Sequence, residues 1–493
     1  MIWDSSAGQF MYFSQTVSDA GDFNGDQMND ILIGVPGFNG ARGGVYVIFG
    51  KSGQNSDIDV SSANFNPQQG IKIYDSTAAG IPPDFEYLGT SVSNIGDING
   101  DGIDDIIVGT SLNKGDVYVV YGRLNPSDID LGSPNFNPTQ GFKIYDSTKS
   151  DAELGEFASN IGDINGDTIN DFMVSDPGHN SDRGIAYVIY GGNPTMPNID
   201  LSSSTSFPSS TGFKIFSSSA SSGSRFGRSF SGVDINGDNI NDIIIGAPST
   251  TPAKVYVIYG KAGQSQDIDV DSSSFSPNQG FVISDSSNQS RYLGYYVSIA
   301  GDMNGDFVDD FIISASGDIN QQRGACFVIY GNRNPLSNID VASGVFDSSQ
   351  GFKIWDSDTF QSPFFGSSIS GGFDINGDMA DDVLIGSWEK NMGSGEAYIL
   401  FGKRGLICTP NCRTCLSSTC MDCEDGFDLV ANQCTPSAIT NPGNPNPNNP
   451  SNPSPNNPNP NPNNPESPNP NNPDPNPIPE EWNYGIFIFL YYF

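Results

Sequence analysis

The sequence predicts an all-β protein: a β-propeller of four-stranded blades, followed by a small cysteine-rich module and an Asn/Pro-rich tail. Three observations predict it. A nine-residue stretch of acidic and amide side chains recurs six times, starting at Asp22, Asp97, Asp163, Asp234, Asp302 and Asp374. The starts lie 75, 66, 71, 68 and 72 residues apart, longer than WD40 or kelch repeats of roughly 40 to 50 residues. Between the copies run short segments rich in Val, Ile, Tyr and Phe, broken by many of the 57 glycines, as strands and turns require.

The recurring stretch reads as a loop for a hard cation. Its positions 1, 3, 5 and 9 are Asp22, Asn24, Asp26 and Asp30; Asp97, Asn99, Asp101 and Asp105; Asp163, Asn165, Asp167 and Asp171 in the first three copies. The other three give Asp234, Asn236, Asp238 and Asp242; Asp302, Asn304, Asp306 and Asp310; Asp374, Asn376, Asp378 and Asp382. Ca²⁺ takes six to eight oxygen ligands, and alternate side chains of one tight turn supply them from few residues. Position 4 is always Gly, which suits a positive φ. Position 7 is apolar (Met28, Ile103, Ile169, Ile240, Val308, Ala380), so it offers its carbonyl while its side chain packs inward. Turn propensity alone explains one such copy, but not a carboxylate four residues past the turn in all six. An EF-hand would end in Glu at position 12 between helices; here position 9 runs into strands such as Asp242-Ile-Ile-Ile245. About six structural Ca²⁺ are expected.

Each unit reads as four strands. In the second, Val92–Ile95 leads into the loop, Ile106–Val108 follows it, Val117–Tyr121 is third, and a link through Asp128-Ile-Asp reaches Phe142–Tyr145. Four-stranded units arranged about a centre leave only short edges. The sixth unit ends at its third strand, Ala397–Phe401. Ile2–Ser5 matches the fourth-strand segment Lys-Ile-Tyr-Asp-Ser and is expected to complete that blade, giving six blades in this chain. Met1 aligns with the Lys of that segment, so about one further repeat upstream, making seven native blades, is expected, with a native six-bladed ring as the alternative.

Phe-Gly-like segments precede the loops, as Tyr87-Leu-Gly89, Phe226-Gly227, Tyr292-Leu-Gly294 and Phe365-Gly366, and Gly-Ala-Pro-like segments follow them, as Gly34-Val-Pro36 and Gly246-Ala-Pro248. The latter degenerate to Gly109-Thr-Ser111, Ser175-Asp-Pro177, Ser314-Ala-Ser316 and Gly386-Ser-Trp388. Residues 1–405 therefore resemble the FG-GAP repeats of integrin α-subunits. The resemblance implies a calcium-binding propeller that acts in adhesion, binding a protein or glycan ligand on another cell or in the matrix through the face opposite the loops. It also implies a second membrane subunit as partner, although no β-sandwich stalk follows the repeats. Rival readings are a structural coat or matrix protein without a specific ligand, and the propeller part of a secreted phospholipase that cleaves glycosylphosphatidylinositol anchors.

Residues 406–436 hold six of the seven cysteines, at 408, 412, 415, 420, 423 and 434. Three disulfides in an oxidising compartment, or zinc on the two C-x2-C pairs, would explain them. Gly426-Phe-Asp-Leu before the final Cys resembles furin-like and epidermal-growth-factor-like modules. Residues 437–481 are mostly Asn and Pro, a composition that buries nothing and predicts an extended, disordered stalk. The apolar tail 482–493 is shorter than the ~20 residues of a spanning helix, and reads as a truncated anchor or a stray terminus. No basic, apolar leader opens the chain. A cell-surface or secreted location is expected, with Asn288-Gln-Ser290 as a glycosylation sequon.

Net charge is −36, and positions 1, 5 and 9 of the six loops supply 18 of the 57 acidic residues. Such a field argues against nucleic acid as partner. His179 is the sole histidine, so most His-based catalysis has no material, and a binding protein rather than an enzyme is expected. Cys326, inside an apolar strand, reads as a buried free thiol. Lys114-Gly-Asp116 resembles an adhesion tripeptide, although its place between two strands suits a plain turn.

Overall fold

The computed structural model describes residues 1–403 apart from the segments 6–11, 39–41, 54–56, 63, 78–86, 112–114, 149–152, 288–289, 319–323, 343–345, 357–363, 389 and 391–394, and four backbone strands between 412 and 436. The sequon at Asn288, the tripeptide's Lys114, the stalk and the apolar tail lie outside the described residues. The first compact unit is a six-bladed propeller, nearly all strand. Blade 2 shows its pattern, with Ser91–Gly96, Asp105–Gly109, Val117–Val120 and Gly141–Tyr145 pairing antiparallel in that order. Every residue of Asp105–Gly109 and of its counterpart Asp171–Asp176 is buried. That is why these strands read as unbroken apolar runs: each of their faces meets a neighbouring blade.

Alternation along a strand feeds two cores at once. Ile106 and Val108 pack with Leu32, Val47 and Ile71 of blade 1, while Ile107 packs with Phe172 and Val174 of blade 3. A fifth strand, not anticipated from the sequence, joins the first four sheets. The two-residue Ile-Asp segment in each link pairs parallel with the fourth strand of the preceding blade, as Ile129↔Ile73 and Asp130↔Tyr74. Side chains fix this register. Asp128 Oδ1 accepts from the Lys72 N–H at 2.9 Å and Asp130 Oδ1 from the Ser76 N–H at 2.9 Å.

The last blade differs from expectation. Among the described residues it has three strands, Ser368–Phe373, Asp382–Ser387 and Glu396–Leu400. Ile2–Trp3 does not pair with Glu396–Leu400 among the described residues; it pairs parallel with Ile58–Asp59, in the register the fourth strands of blades 1 to 4 use toward the following link. The segment has the fourth-strand character read from its sequence, satisfied on its link side. The outward faces of the terminal blades are accordingly open. Ile31 is 45% exposed where its counterparts Ile106, Phe172, Ile243, Phe311 and Val383 are buried, and Leu384 is 38% exposed where Leu32, Ile107, Met173, Ile244 and Ile312 are buried.

The Phe-Gly and Gly-Ala-Pro segments prove to be one device for joining blades. The carbonyl of the Phe-Gly glycine lies against the Gly-Ala-Pro glycine of the previous blade. A Cβ on Gly34, Gly109 or Gly246 would sit within about 2 Å of the oxygens of Gly89, Gly155 and Gly294. A hydroxyl then satisfies that carbonyl: Thr16 to Gly89 at 2.9 Å, Ser91 to Gly155 at 2.7 Å, Ser229 to Gly294 at 2.9 Å. In blade 3 the glycine is replaced by Ser175, which itself donates to the Gly227 carbonyl at 2.8 Å, and Phe157 stands where blades 1, 2 and 4 keep the hydroxyl.

The second compact unit, described by itself, carries two hairpins, Cys412–Leu416 with Thr419–Cys423 and Phe427–Val430 with Gln433–Pro436. The backbone register sets Cys412 opposite Cys423 and Cys415 opposite Cys420.

Candidate metal loops

All six nine-residue stretches join a first strand to a second at the same end of the blades. Position 4 is left-handed in each, with φ of 74, 79, 75, 68, 78 and 76° at Gly25, Gly100, Gly166, Gly237, Gly305 and Gly377. Position 6 is left-handed too, at Gln27, Gly102, Thr168, Asn239, Phe307 and Met379. Five of those six carry a side chain, so no glycine signal marked the position. Paired left-handed turns swing successive N–H groups inward. Asp97 shows their use: its Oδ1 accepts from Gly100 and Asp101 at 2.7 and 3.0 Å, and its Oδ2 from Gly102 at 2.7 Å. Position 5 takes the N–H of position 7, as Ile103 to Asp101 at 3.0 Å. The inward packing expected of position 7 is complete only for Val308 and Ala380; Met28, Ile103, Ile169 and Ile240 are half-buried.

Position 9 anchors the loop to the blade. Asp105 is fully buried and accepts from the N–H of Ile98 at 3.1 Å, of Gly122 at 2.9 Å, and from the Asn99 amide at 3.2 Å. Burial, reinforced by the carboxylates at positions 1 and 5, pushes the position-9 groups up: Asp30 to about 6, Asp171 to about 7, and Asp105, Asp242 and Asp310 to about 8. The amides oppose this and do not outweigh it.

The donor set fits a hard cation. Each loop holds three carboxylates and an amide oxygen on nine residues, and in the first loop Asn24 Oδ1 is buried without a hydrogen-bond partner. An oxygen in that state is what a bound ion would take up. As placed, the carboxylates face backbone amides, and no group of three closes on a shared point among the described residues. Holding an ion requires positions 1, 5 and 9 to turn from those amides toward it.

Each loop is also stitched to the next blade. The third residue beyond the third strand donates its N–H to the position-2 carbonyl of the preceding loop: Arg123 to Phe23 at 3.0 Å, Gly192 to Ile98 at 2.8 Å, Lys261 to Ile164 at 3.1 Å, Asn332 to Ile235 at 2.8 Å and Lys403 to Met303 at 2.8 Å. The position-8 side chain does the same from the other side, Asp104 accepting from the Asp22 N–H at 2.8 Å and Asp381 from the Asp302 N–H at 2.9 Å. Sequence reasoning passed over position 8, although it is Asp or Asn in all six copies. Position 2 is buried in the first five loops; the sixth, Ile375, is 51% exposed.

At the opposite end, Arg228 lies among aromatic rings, 4.5 Å from the centroids of Phe157 and Tyr295 and 5.8 Å from Tyr296, and it donates to the Tyr295 hydroxyl at 3.1 Å. Its Nη1 is buried without a hydrogen-bond partner. Arg225 pairs with Glu153 at 2.6 Å beside it in sequence. No motif marked this cluster, because it occurs in one blade only. His179 sits 3.6 Å from Asp176 in a turn.

Residues 88–120 and 226–264, in blades 2 and 4, match the FG-GAP repeat family. Human integrin alpha-8 is 27% identical over 252 residues, covering 48% of this chain and 20% of that protein. Integrin alpha-PS2 of Drosophila melanogaster is 27% identical over 250 residues, 48% of this chain and 15% of that protein. Integrin alpha pat-2 of Caenorhabditis elegans is 26% identical over 312 residues, 58% of this chain and 23% of that protein. The chain thus spans under a quarter of the length of each of these relatives. With six stitched blades and FG-GAP repeats at two of them, it is an integrin alpha-like FG-GAP β-propeller.

Proposed function

We propose that the chain is an extracellular adhesion or ligand-binding protein whose loops hold about six structural Ca²⁺, and that it meets a protein or glycan ligand with the blade end opposite those loops. The likeness to integrin alpha subunits, carried by the repeated loop, supports the reading. A bound ion would neutralise the carboxylates of each loop, and the residues at positions 1, 3, 5 and 9, with the position-7 carbonyl, are those proposed to hold it. The loops are spent on joining blades, so the end carrying Arg228, Tyr295 and Tyr296 is left for contact. Binding rather than catalysis is proposed, because the charged groups of the loops serve backbone amides and the next blade.

A second membrane subunit, a membrane tether through the C-terminus, and disulfides among the cysteines of the second unit complete the proposal; the opposed Cys412 and Cys423 favour the last of these. Immobilised protein should retain cells or matrix extracts in calcium and release them in chelator, and Arg228→Ala should weaken retention at a temperature where calorimetry shows the variant still folded in calcium. Equal retention by wild type and Arg228→Ala would move the contact surface elsewhere. No retention under any condition would favour the coat-protein reading.

A further inference from the structure

The last blade gathers an ammonium and two carboxylates away from water. Lys390, in the turn after Asp382–Ser387, places Nζ 2.5 Å from Asp356 Oδ2 and 2.9 Å from Glu396 Oε2. Their side chains are only 9, 11 and 11% exposed. The Tyr398 hydroxyl lies 2.6 Å from the same Nζ, 2.8 Å from Asp356 and 2.7 Å from Glu396. Asp356 directly follows Gly351–Trp355, the fourth strand of blade 5, so the cluster joins two blades. Blade 2 keeps part of it, Lys143 Nζ lying 2.5 Å from Asp116 Oδ2 and 5.6 Å from the Tyr118 ring, but those two charged side chains are 32 and 17% exposed; Lys72 and Lys214, from two other fourth strands, rest over the faces of Tyr46 and Tyr187 at 5.4 and 5.8 Å.

As ions alone the cluster is poorly balanced, with two carboxylates for one ammonium in a desolvated site, where charge in excess of its partner is costly. It is well arranged for chemistry, since an amine held against a carboxyl group at contact distance needs no encounter. We propose that Lys390 and Asp356 condense to an isopeptide bond, with Glu396 as the proton carrier. Lys390 gives a proton to Glu396, and the free amine attacks Asp356 Cγ. The tetrahedral carbon then loses one oxygen, which leaves as water with protons delivered through Glu396. One N–C bond forms, one C–O bond breaks, and no oxidant or cofactor is consumed.

The bond would sit where hydrogen bonding runs out. Among the described residues, blade 5 gains no link strand and blade 6 has no fourth strand. Closing residues 356 to 390 into a covalent ring holds the first two strands of blade 6 against the end of blade 5, so a pull on the C-terminal side stops at Lys390.

Trypsin reads the bond directly, because no Lys or Arg lies between Lys353 and Lys390 or between Lys390 and Lys403. Full chain made without glycosylation, then reduced and digested, is expected to give one peptide, Ile354–Lys403, uncut after Lys390 and lighter than its sequence by one water. A peptide Ile354–Lys390 at full sequence mass overturns the proposal. Glu396→Gln is expected to restore the cut after Lys390; a bond formed undiminished in that variant overturns the part given to Glu396. The wild-type digest decides the bond itself whether or not a variant folds.

Discussion

Asp242 and Asn236 occupy one loop yet do different work, and calcium should tell them apart. Asp242 is fully buried and takes the N–H groups of Ile235 and Gly260 at 3.2 and 2.8 Å, whereas Asn236 is half-buried, donates to Asp242 at 3.4 Å and accepts from the Asp238 N–H at 2.9 Å. Asp242→Asn should therefore lower calcium affinity more than Asn236→Ser, since it removes a formal charge from the loop. Melting temperatures of both variants with and without calcium check this; a gap equally large in chelator would reduce the loop to a hydrogen-bonded turn. The same carboxylates set a pH dependence. Their folded pKa values lie above the unfolded 3.8, so between about pH 4 and 8 the native state binds more protons than the unfolded chain. Stability of calcium-free protein should then fall as pH rises through that window, and calcium should flatten the fall. Melting in chelator at about pH 5 and about pH 8 tests the sign. Cys326, fully buried, has its thiol pushed well above the usual range by desolvation. It should resist alkylation in the native protein and react once the chain is unfolded, as a timed labelling experiment would show.

The element that carries most of the architecture is the junction between blades. Its shared carbonyl, satisfied by Ser91 in one blade and by Ser175 in another, predicts a compensating pair. Ser91→Ala leaves the Gly155 carbonyl short of a donor and should cost about 1–3 kcal/mol. Gly109→Val should cost at least ~1–3 kcal/mol, because its Cβ meets that same oxygen. Gly109→Ser brings the same Cβ but also a replacement hydroxyl, so on the Ser91→Ala background it should cost less than Gly109→Val does there, as chemical denaturation of these proteins would reveal. Strands, loops and their order were legible in the sequence, because six copies separate a pattern from an accident. The hydroxyl exchange between strand and turn was present in the letters but hidden by compensation, since neither position alone is constant. The parallel Ile-Asp strand was seen as a link, because a two-residue strand has no periodicity to read. Arg228 and the Lys390 cluster occur once each, and one occurrence offers no pattern.

For the whole molecule, whose net charge is −36, the six loops gather 18 carboxylates of positions 1, 5 and 9 at one end of the blades, where self-repulsion is largest. Removing calcium should lower the melting temperature by several degrees or more, and added monovalent salt should restore part of the loss by screening. Calorimetry in chelator across a salt series would show it, and an unchanged melting temperature together with no calcium by elemental analysis would end the metal reading. The place of Ile2–Trp3 shows where whole-molecule reasoning exceeded the sequence. Its letters specify a fourth strand and its link partner, but which third strand lies on its other edge depends on how many blades share the turn, a quantity no local pattern encodes. One further consequence follows from the stitching of each loop to the blade behind it. The amide hydrogens of Arg123, Gly192, Lys261, Asn332 and Lys403 are held by the preceding loop rather than by their own blade. Their exchange with deuterated solvent therefore reports, one blade late, on the loop before them, and as calcium is withdrawn the order in which these five labels appear would give the order in which the first five loops empty.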